Sequence, residues 1–199
     1  MLKPLVYLIK YLRNSIYRLV VALTLIIPAC LFGKDITIKA GIYDFTDNVS
    51  KEFYKLAPAF YLDYDIHQVK KLALNISAGY SFTSVEYNAK RHKLSMVPIY
   101  LTIQYHLADS GTIFQPYIAG GATLHMKWDK NPWFMNPHFG MTYGYIMQAG
   151  LDIPIKQKVF FTADIKYNIL IPPAMEELNL SGIISAVGIK IPIRSSRRR

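Results

Sequence analysis

The chain has 199 residues, 52% of them hydrophobic, with 15 Tyr, 10 Phe and a single cysteine, which is long enough for one domain that buries a core or closes a barrel. Mean hydropathy is only +0.17, so apolar and polar residues are interleaved, and a bundle of membrane helices is excluded beyond the leader. The formal charge of +10 belongs to the two ends: Lys3, Lys10, Arg13 and Arg18 begin the chain and Arg194, Arg197, Arg198 and Arg199 close it, leaving 15 of the 23 basic residues against 13 acidic ones in the body. That near-neutral body excludes a contiguous basic face for nucleic acid.

Residues 1–18 carry four basic residues and no acidic one, and residues 19–33, LVVALTLIIPACLFG, form an uncharged apolar run. A basic segment followed by a short apolar one predicts a secretory signal peptide. Cleavage after Gly33 places Cys30 and Gly33 at the small-residue positions before the cut. Two alternatives stay open. The run could remain as a signal anchor if the residues before it extend it towards the roughly 20 that a spanning helix needs. Ile27-Pro28-Ala29-Cys30 also loosely fits a lipoprotein box, with Cys30 lipidated. The predicted organisation is a signal peptide over 1–33, a β-barrel over 34–194 and a basic tail over 195–199.

After the leader, the pattern predicts eight strands, roughly Asp35 to Phe45, Phe53 to Ile66, Lys71 to Phe82, Leu94 to Leu107, Ile113 to Trp128, Phe139 to Asp152, Lys158 to Ile169 and Leu178 to Ile193. Successive strand side chains point to opposite faces, so each strand has two surfaces. On the fifth, Phe114, Pro116, Ile118, Gly120, Ala122, Leu124 and Met126 share an apolar face, opposite Gln115, Tyr117, Ala119, Gly121, Thr123, His125 and Lys127. The fourth, sixth and seventh strands repeat this separation, and Lys39 and Asp63 must point inward on the first two. A tilted strand crossing a bilayer needs about 9 to 11 residues, and uncharged faces of this length are what lipid contact requires. The fold expected is therefore all-β: an eight-stranded antiparallel up-and-down transmembrane β-barrel. A secreted soluble β-barrel, with its apolar faces inward, is the alternative.

Connection lengths agree with the membrane reading. Gaps around His67 to Lys70, Ala108 to Thr112 and Ile153 to Gln157 are short, whereas those over residues 83–93 and 129–138 are longer and richer in charge or proline. Short inner turns and long outer loops characterise outer-membrane barrels. Tyr100, Tyr105 and Trp128 suit interfacial girdles. Gly120-Gly121 marks a place where the strand bends or packs closely.

The run Pro98-Ile99-Tyr100-Leu101-Thr102-Ile103-Gln104-Tyr105-His106-Leu107, followed by Phe114-Gln115-Pro116-Tyr117-Ile118-Ala119-Gly120-Gly121-Ala122, resembles the central hairpin of small eight-stranded outer-membrane barrels, nearest to the outer membrane protein W family. Ala119 stands where the family pattern has Gly. The end of the chain, Gly188-Ile189-Lys190-Ile191-Pro192-Ile193, resembles the terminal signal that barrel-insertion machinery reads, although its last position is Ile193 instead of an aromatic and an arginine tail follows. The resemblance implies a porin-like protein of the bacterial outer membrane, in a family where small hydrophobic compounds pass laterally; the role expected of this chain is structural or the narrow passage of small solutes, as a monomer.

The residues point away from catalysis. His67, His92, His106, His125 and His138 show no metal-ligand spacing, and no nucleophile or phosphate-loop motif is present; no cofactor is expected. Strand seven, Phe160 to Lys166, also lacks the nearby His and Ser that lipid A deacylases carry there. The lumen-facing candidates are Gln104, His106, Gln115, Tyr117, His125, Lys127, Asp152, Asp164, Lys166 and Asn168, read mainly as a packed polar plug. The sharper reading is a narrow path gated by Trp128, Trp133, Phe134 and Met135. The alternative function is surface binding through loops 83–93 and 129–138.

Overall fold

A computed structural model describes residues 35–87, 90–108, 112–130, 138–156, 159–171 and 179–193. The signal peptide, Cys30, the gate residues Trp133, Phe134 and Met135, and the basic tail lie outside the described residues. Eight strands, β1 (Asp35–Phe45), β2 (Leu56–Val69), β3 (Leu72–Tyr87), β4 (Lys90–His106), β5 (Gln115–Lys130), β6 (His138–Lys156), β7 (Val159–Ile171) and β8 (Gly182–Pro192), pair antiparallel with their chain neighbours, and β8 pairs with β1. The sheet closes on itself, so no strand edge is left to template aggregation. One helix, α1 (Asn48–Tyr54), lies between β1 and β2.

The core is inverted relative to a soluble protein. Among the described residues, 33 large apolar side chains are exposed and 25 polar or charged ones are buried. Ile38 and Ile42 of β1 face outward while Thr37 and Lys39 face in, and Ile165, Tyr167 and Ile169 of β7 face outward while Asp164, Lys166 and Asn168 face in. Only a hydrocarbon solvent makes that arrangement favourable. The inversion overturns the soluble-barrel alternative. Along β5 the outward row Ile118 to Trp128 is uncharged; its ten steps cover about 34 Å of strand, or about 25 Å of height at the usual tilt, the thickness of the apolar band in such barrels.

Both ends of the described chain lie at the end of the barrel that carries the tight Lys70-Lys71 turn and the two-residue 157–158 connection. Connections at that end (70–71, 107–114, 157–158) are on average shorter than those at the other (46–55, 88–89, 131–137, 172–181), so by the rule of short inner turns it faces the periplasm and α1 faces outward. The wall is uneven in height, with 16, 17, 16 and 19 residues in β3 to β6 and 11 each in β1 and β8.

Several expectations need correction. Phe53 and Tyr54 belong to α1 and not to the second strand. Asp47 caps that helix, its carboxylate accepting from the Ser50 N–H at 3.0 Å, and Lys55 ends it with φ 53° while donating to the Lys51 carbonyl. Residues 83–93 are not a long loop: β3 and β4 continue as a paired hairpin to Tyr87 opposite Lys90. The Ile153 to Gln157 gap is largely strand, since β6 runs to Lys156 across a bulge. Tyr100 is not a girdle residue, because its position on β4 turns it into the lumen, where it is 1% exposed. Trp128 stands on the outward face of β5 and packs against Phe139 with ring centroids 5.2 Å apart; it is a girdle residue and not part of a loop gate.

Candidate functional site

The lumen is divided into two storeys. The inner one is ionic. Lys39 Nζ lies 2.6 Å from Asp63 Oδ2 and also donates to Asp164. Asp63 Oδ1 accepts from Ser77 Oγ, and Lys166 Nζ stands 3.6 Å from that same oxygen. Asp164 further accepts from the Tyr117 hydroxyl at 3.2 Å and from Gln148 Nε2 at 3.0 Å. Nearer the inner mouth, Lys190 Nζ is held by Asp65 at 3.0 Å, Asp152 at 3.2 Å and Asp35 at 3.6 Å, and Asn75 donates to Asp65. Each strand contributes because its inward positions recur every two residues and the closed wall brings β1, β2, β7 and β8 around one axis.

Between these clusters a small polar cavity, lined in part by Thr37, Gln104, Tyr117 and Thr162, has about 10 Å³ for an occupant. That is the room one water needs.

The outer storey is apolar and aromatic. Tyr43, Phe45, Tyr54, Tyr61, Leu94, Met96, Tyr100, Ile146, Leu170 and Ile184 form one buried cluster. Lys166 links the storeys, its ammonium 4.7 Å from the Tyr61 ring centre and 5.3 Å from that of Tyr100, where cation–π attraction helps offset its burial. The Tyr100 hydroxyl accepts from Asn168 at 3.1 Å, and the Tyr43 hydroxyl donates to the Leu180 carbonyl at 2.6 Å. His125 lies edge-on to the rings of Tyr43 and Tyr100, 1% exposed, with neither ring nitrogen hydrogen-bonded. A buried polar group without a partner costs about 1 to 3 kcal/mol, so this position is held at some expense in stability.

The outer mouth is covered by α1. Ser50 Oγ donates to the Asn179 carbonyl at 2.8 Å, Thr83 Oγ1 to the Tyr54 carbonyl at 3.0 Å, and the Tyr54 hydroxyl to Asp129 at 3.2 Å. Burial and then the Asp129 carboxylate push the Tyr54 phenol above its ordinary range, so it remains a donor.

Besides the bulges at Asp65/His67 and Pro154/Lys156 near the inner end, the described wall has an irregular seam at mid-height. β3 and β4 pair in constant register, Ala78 with Ile99 and Ser81 with Met96, but the intervening Gly79 and Tyr80 are unpaired with Pro98 and Val97. Pro98 has no N–H to give to the ladder. It sits near the middle of β4 and pairs on its other side with His125. Gly79 lies under the Tyr61 ring, and a Cβ there would come within 2.4 Å of it.

Of the sequence candidates, Gln104, His106, Tyr117, His125, Lys127, Asp152, Asp164, Lys166 and Asn168 are buried in the lumen. Gln115 is partly exposed at the inner rim, its amide 3.5 Å from the Thr112 carbonyl. Asp164, Lys166, Tyr117 and Asp152 fall in the ionic storey, whereas His125 stands in the aromatic one, away from them. Sequence reasoning left Lys39 and Asp63 out of the site although it had turned both inward, and it omitted Lys190 and Asp65. Their inward parity was the available signal. Among the described residues, no group of His, Cys, Asp and Glu is placed to hold a metal ion.

A closed eight-stranded barrel with a lipid-exposed apolar wall and a polar, side-chain-filled lumen defines a small transmembrane β-barrel of the outer membrane. The family model described as OmpW family matches residues 32–176, and the chain belongs to that family. No curated protein matches the sequence. Among solved structures, the outer membrane protein OprG of Pseudomonas aeruginosa is similar with a TM-score of 0.59 at 13% identity over 82% of this chain and 97% of that one. Neisserial surface protein A gives 0.55 at 13% identity, over 79% and 95%. Ail of Yersinia pestis, solved with the heparin analogue sucrose octasulfate, gives 0.50 at 10% identity, over 80% and 98%. At these identities the likeness is one of fold. The protein resides in the bacterial outer membrane, in contact with its lipid.

Proposed function

We propose that this barrel passes small, mainly hydrophobic compounds sideways between its lumen and the membrane, without catalysis and as a monomer. The observation that carries this reading is the seam at Pro98. It lies near the middle of β4, it is flanked outside by the lipid-facing Tyr80, Val97 and Ile99, and it backs onto the aromatic storey at Tyr61, Tyr100 and His125. A wall missing a ladder hydrogen bond opens there at lower cost than a fully paired stretch does. His125, without a partner, offers a compound of this kind one polar contact. The ionic storey below blocks the direct axial route, which favours a sideways exit. On the export side, we infer that Gly188, Ile191 and Ile193 present β8 to the barrel-insertion machinery.

The test is Pro98→Ala, which restores the N–H that the ladder lacks. In liposomes carrying the refolded chain, uptake of N-phenylnaphthylamine should fall to the level of protein-free vesicles while the heat-modifiable gel shift is retained. Uptake equal to that of the parent chain would sink the lateral route.

A further inference from the structure

Charge on the outward face is confined. Among the described strand residues that point outward, the charged ones are Asp44, Glu86, Arg91, Lys93, Lys130 and Lys156. Lys156 is at the inner end and the rest are at the outer end. Asp44 has its own counter-ion, Lys51, at 3.5 Å. Lys93 and Lys130 differ. They are directly opposed across β4 and β5, both exposed, and neither has an ion-pair partner among the described residues. Like charges directly opposite on one sheet face repel each other, and nothing in the barrel wall requires the pair. Arg91 lies one outward position further out on β4 and is engaged by Ser84 Oγ at 2.8 Å.

The height of the pair gives it meaning. The rung immediately below is Ser95 opposite Trp128, and Trp128 packs at a tilt against Phe139. An amphipathic aromatic on a lipid-facing strand marks the boundary of the hydrocarbon. One outward step further is about 7 Å along the strand, which sets the two ammonium groups at the headgroups of the outer leaflet, directly continuous with the lipid-covered face. We propose that Lys93 and Lys130 together bind the phosphate of an outer-leaflet glycolipid, with Arg91 contributing from above and Trp128 and Phe139 packing on the acyl region. A phosphate between two ammonium groups removes their repulsion and forms charge-assisted hydrogen bonds with both. This inference stands apart from lateral passage, because neither the seam nor the lumen enters it.

The full chain, refolded into phosphatidylcholine nanodiscs doped with bisphosphorylated lipid A, is released into detergent and examined by native mass spectrometry for retained lipid. The parent chain should retain bisphosphorylated lipid A and not its dephosphorylated form. Lys93→Gln/Lys130→Gln should reduce retention about tenfold or more, as expected for two lysines lost at a charged lipid surface, whereas Lys156→Gln at the inner end should leave it unchanged. Both variants change exposed side chains, and the heat-modifiable gel shift verifies that each is folded. Millimolar inorganic phosphate should not displace the lipid. Undiminished retention by the double variant, equal retention of the dephosphorylated lipid, or displacement by inorganic phosphate would each overturn the assignment.

Discussion

At the residue scale, the lumen is governed by what burial does to unpaired charge. Lys39 is 3% exposed and touches both Asp63 and Asp164. Replacing it with Met would leave two carboxylates facing each other with only the more distant Lys166 between them. Removing one member of a buried ion pair typically costs about 3 to 5 kcal/mol, and Lys39→Met should lose stability on that scale in reversible urea unfolding from lipid vesicles. The two adjacent glycines of β5 separate close packing from mere smallness. A Cβ on Gly121 would lie 1.9 Å from the Leu101 carbonyl oxygen, a backbone atom that cannot swing away, whereas on Gly120 it meets nothing nearer than 3.8 Å. Gly121→Ala should therefore cost about 1 to 3 kcal/mol, as overpacking does. Gly120→Ala, whose added methyl points to lipid, should be close to neutral in the same measurement. The sequence marked both glycines alike, and the structure assigns the constraint to Gly121.

At the element scale, α1 depends on its cap and its clasp. Asp47→Ala removes the acceptor for the Ser50 N–H, a loss of about 1 kcal/mol. Hydrogen exchange over residues 48–54 should speed up while the barrel strands keep their protection; unchanged exchange in α1 would show that its contacts with Asn179 and Thr83 suffice alone. The helix was illegible in the sequence because seven residues carry too little periodicity, and Phe53-Tyr54 continue smoothly into the alternation of β2. What fixes it is the contact of Ser50 with Asn179, 129 positions away. The outer hairpin was obscured for a different reason. Glu86, Arg91 and Lys93 read as loop because charge is excluded from lipid, yet a strand that rises past the hydrocarbon can carry charge on both faces. Strand β7, by contrast, was legible nearly to its ends, since lipid on one side and a filled lumen on the other enforce strict alternation. The same parity gave most inward residues of the site. It could not give their partners: Lys39 and Asp164, 125 positions apart, meet only because β8 closes on β1 and brings β7 alongside.

At the scale of the whole molecule, the two faces of the wall answer to different solvents, and that distinction can be measured. With an ionic layer and an aromatic layer in series in the lumen and α1 above them, planar bilayers containing the chain should show no steady ion current. The wall is tested by moving one charge by one residue. Ala122 is exposed on β5 at the centre of the uncharged row from Ile118 to Trp128, and its neighbour Thr123 is 4% exposed and faces Tyr100 and Gly144 across the ladders. Strand alternation by itself makes Thr123→Arg the better tolerated of the two, since the wet face admits polar groups. The packing reverses that order, because a guanidinium there must displace the buried rings around it. Ala122→Arg instead meets only lipid, at a cost of about 2 to 4 kcal/mol near the bilayer centre. Detergent micelles are thin and deformable, so the arginine of Ala122→Arg can reach water there. Ala122→Arg should therefore refold in micelles with a normal gel shift and fail selectively in bilayers, whereas Thr123→Arg should be destabilised in both. Parent-like insertion of Ala122→Arg into bilayers would mean that this face does not meet the hydrocarbon.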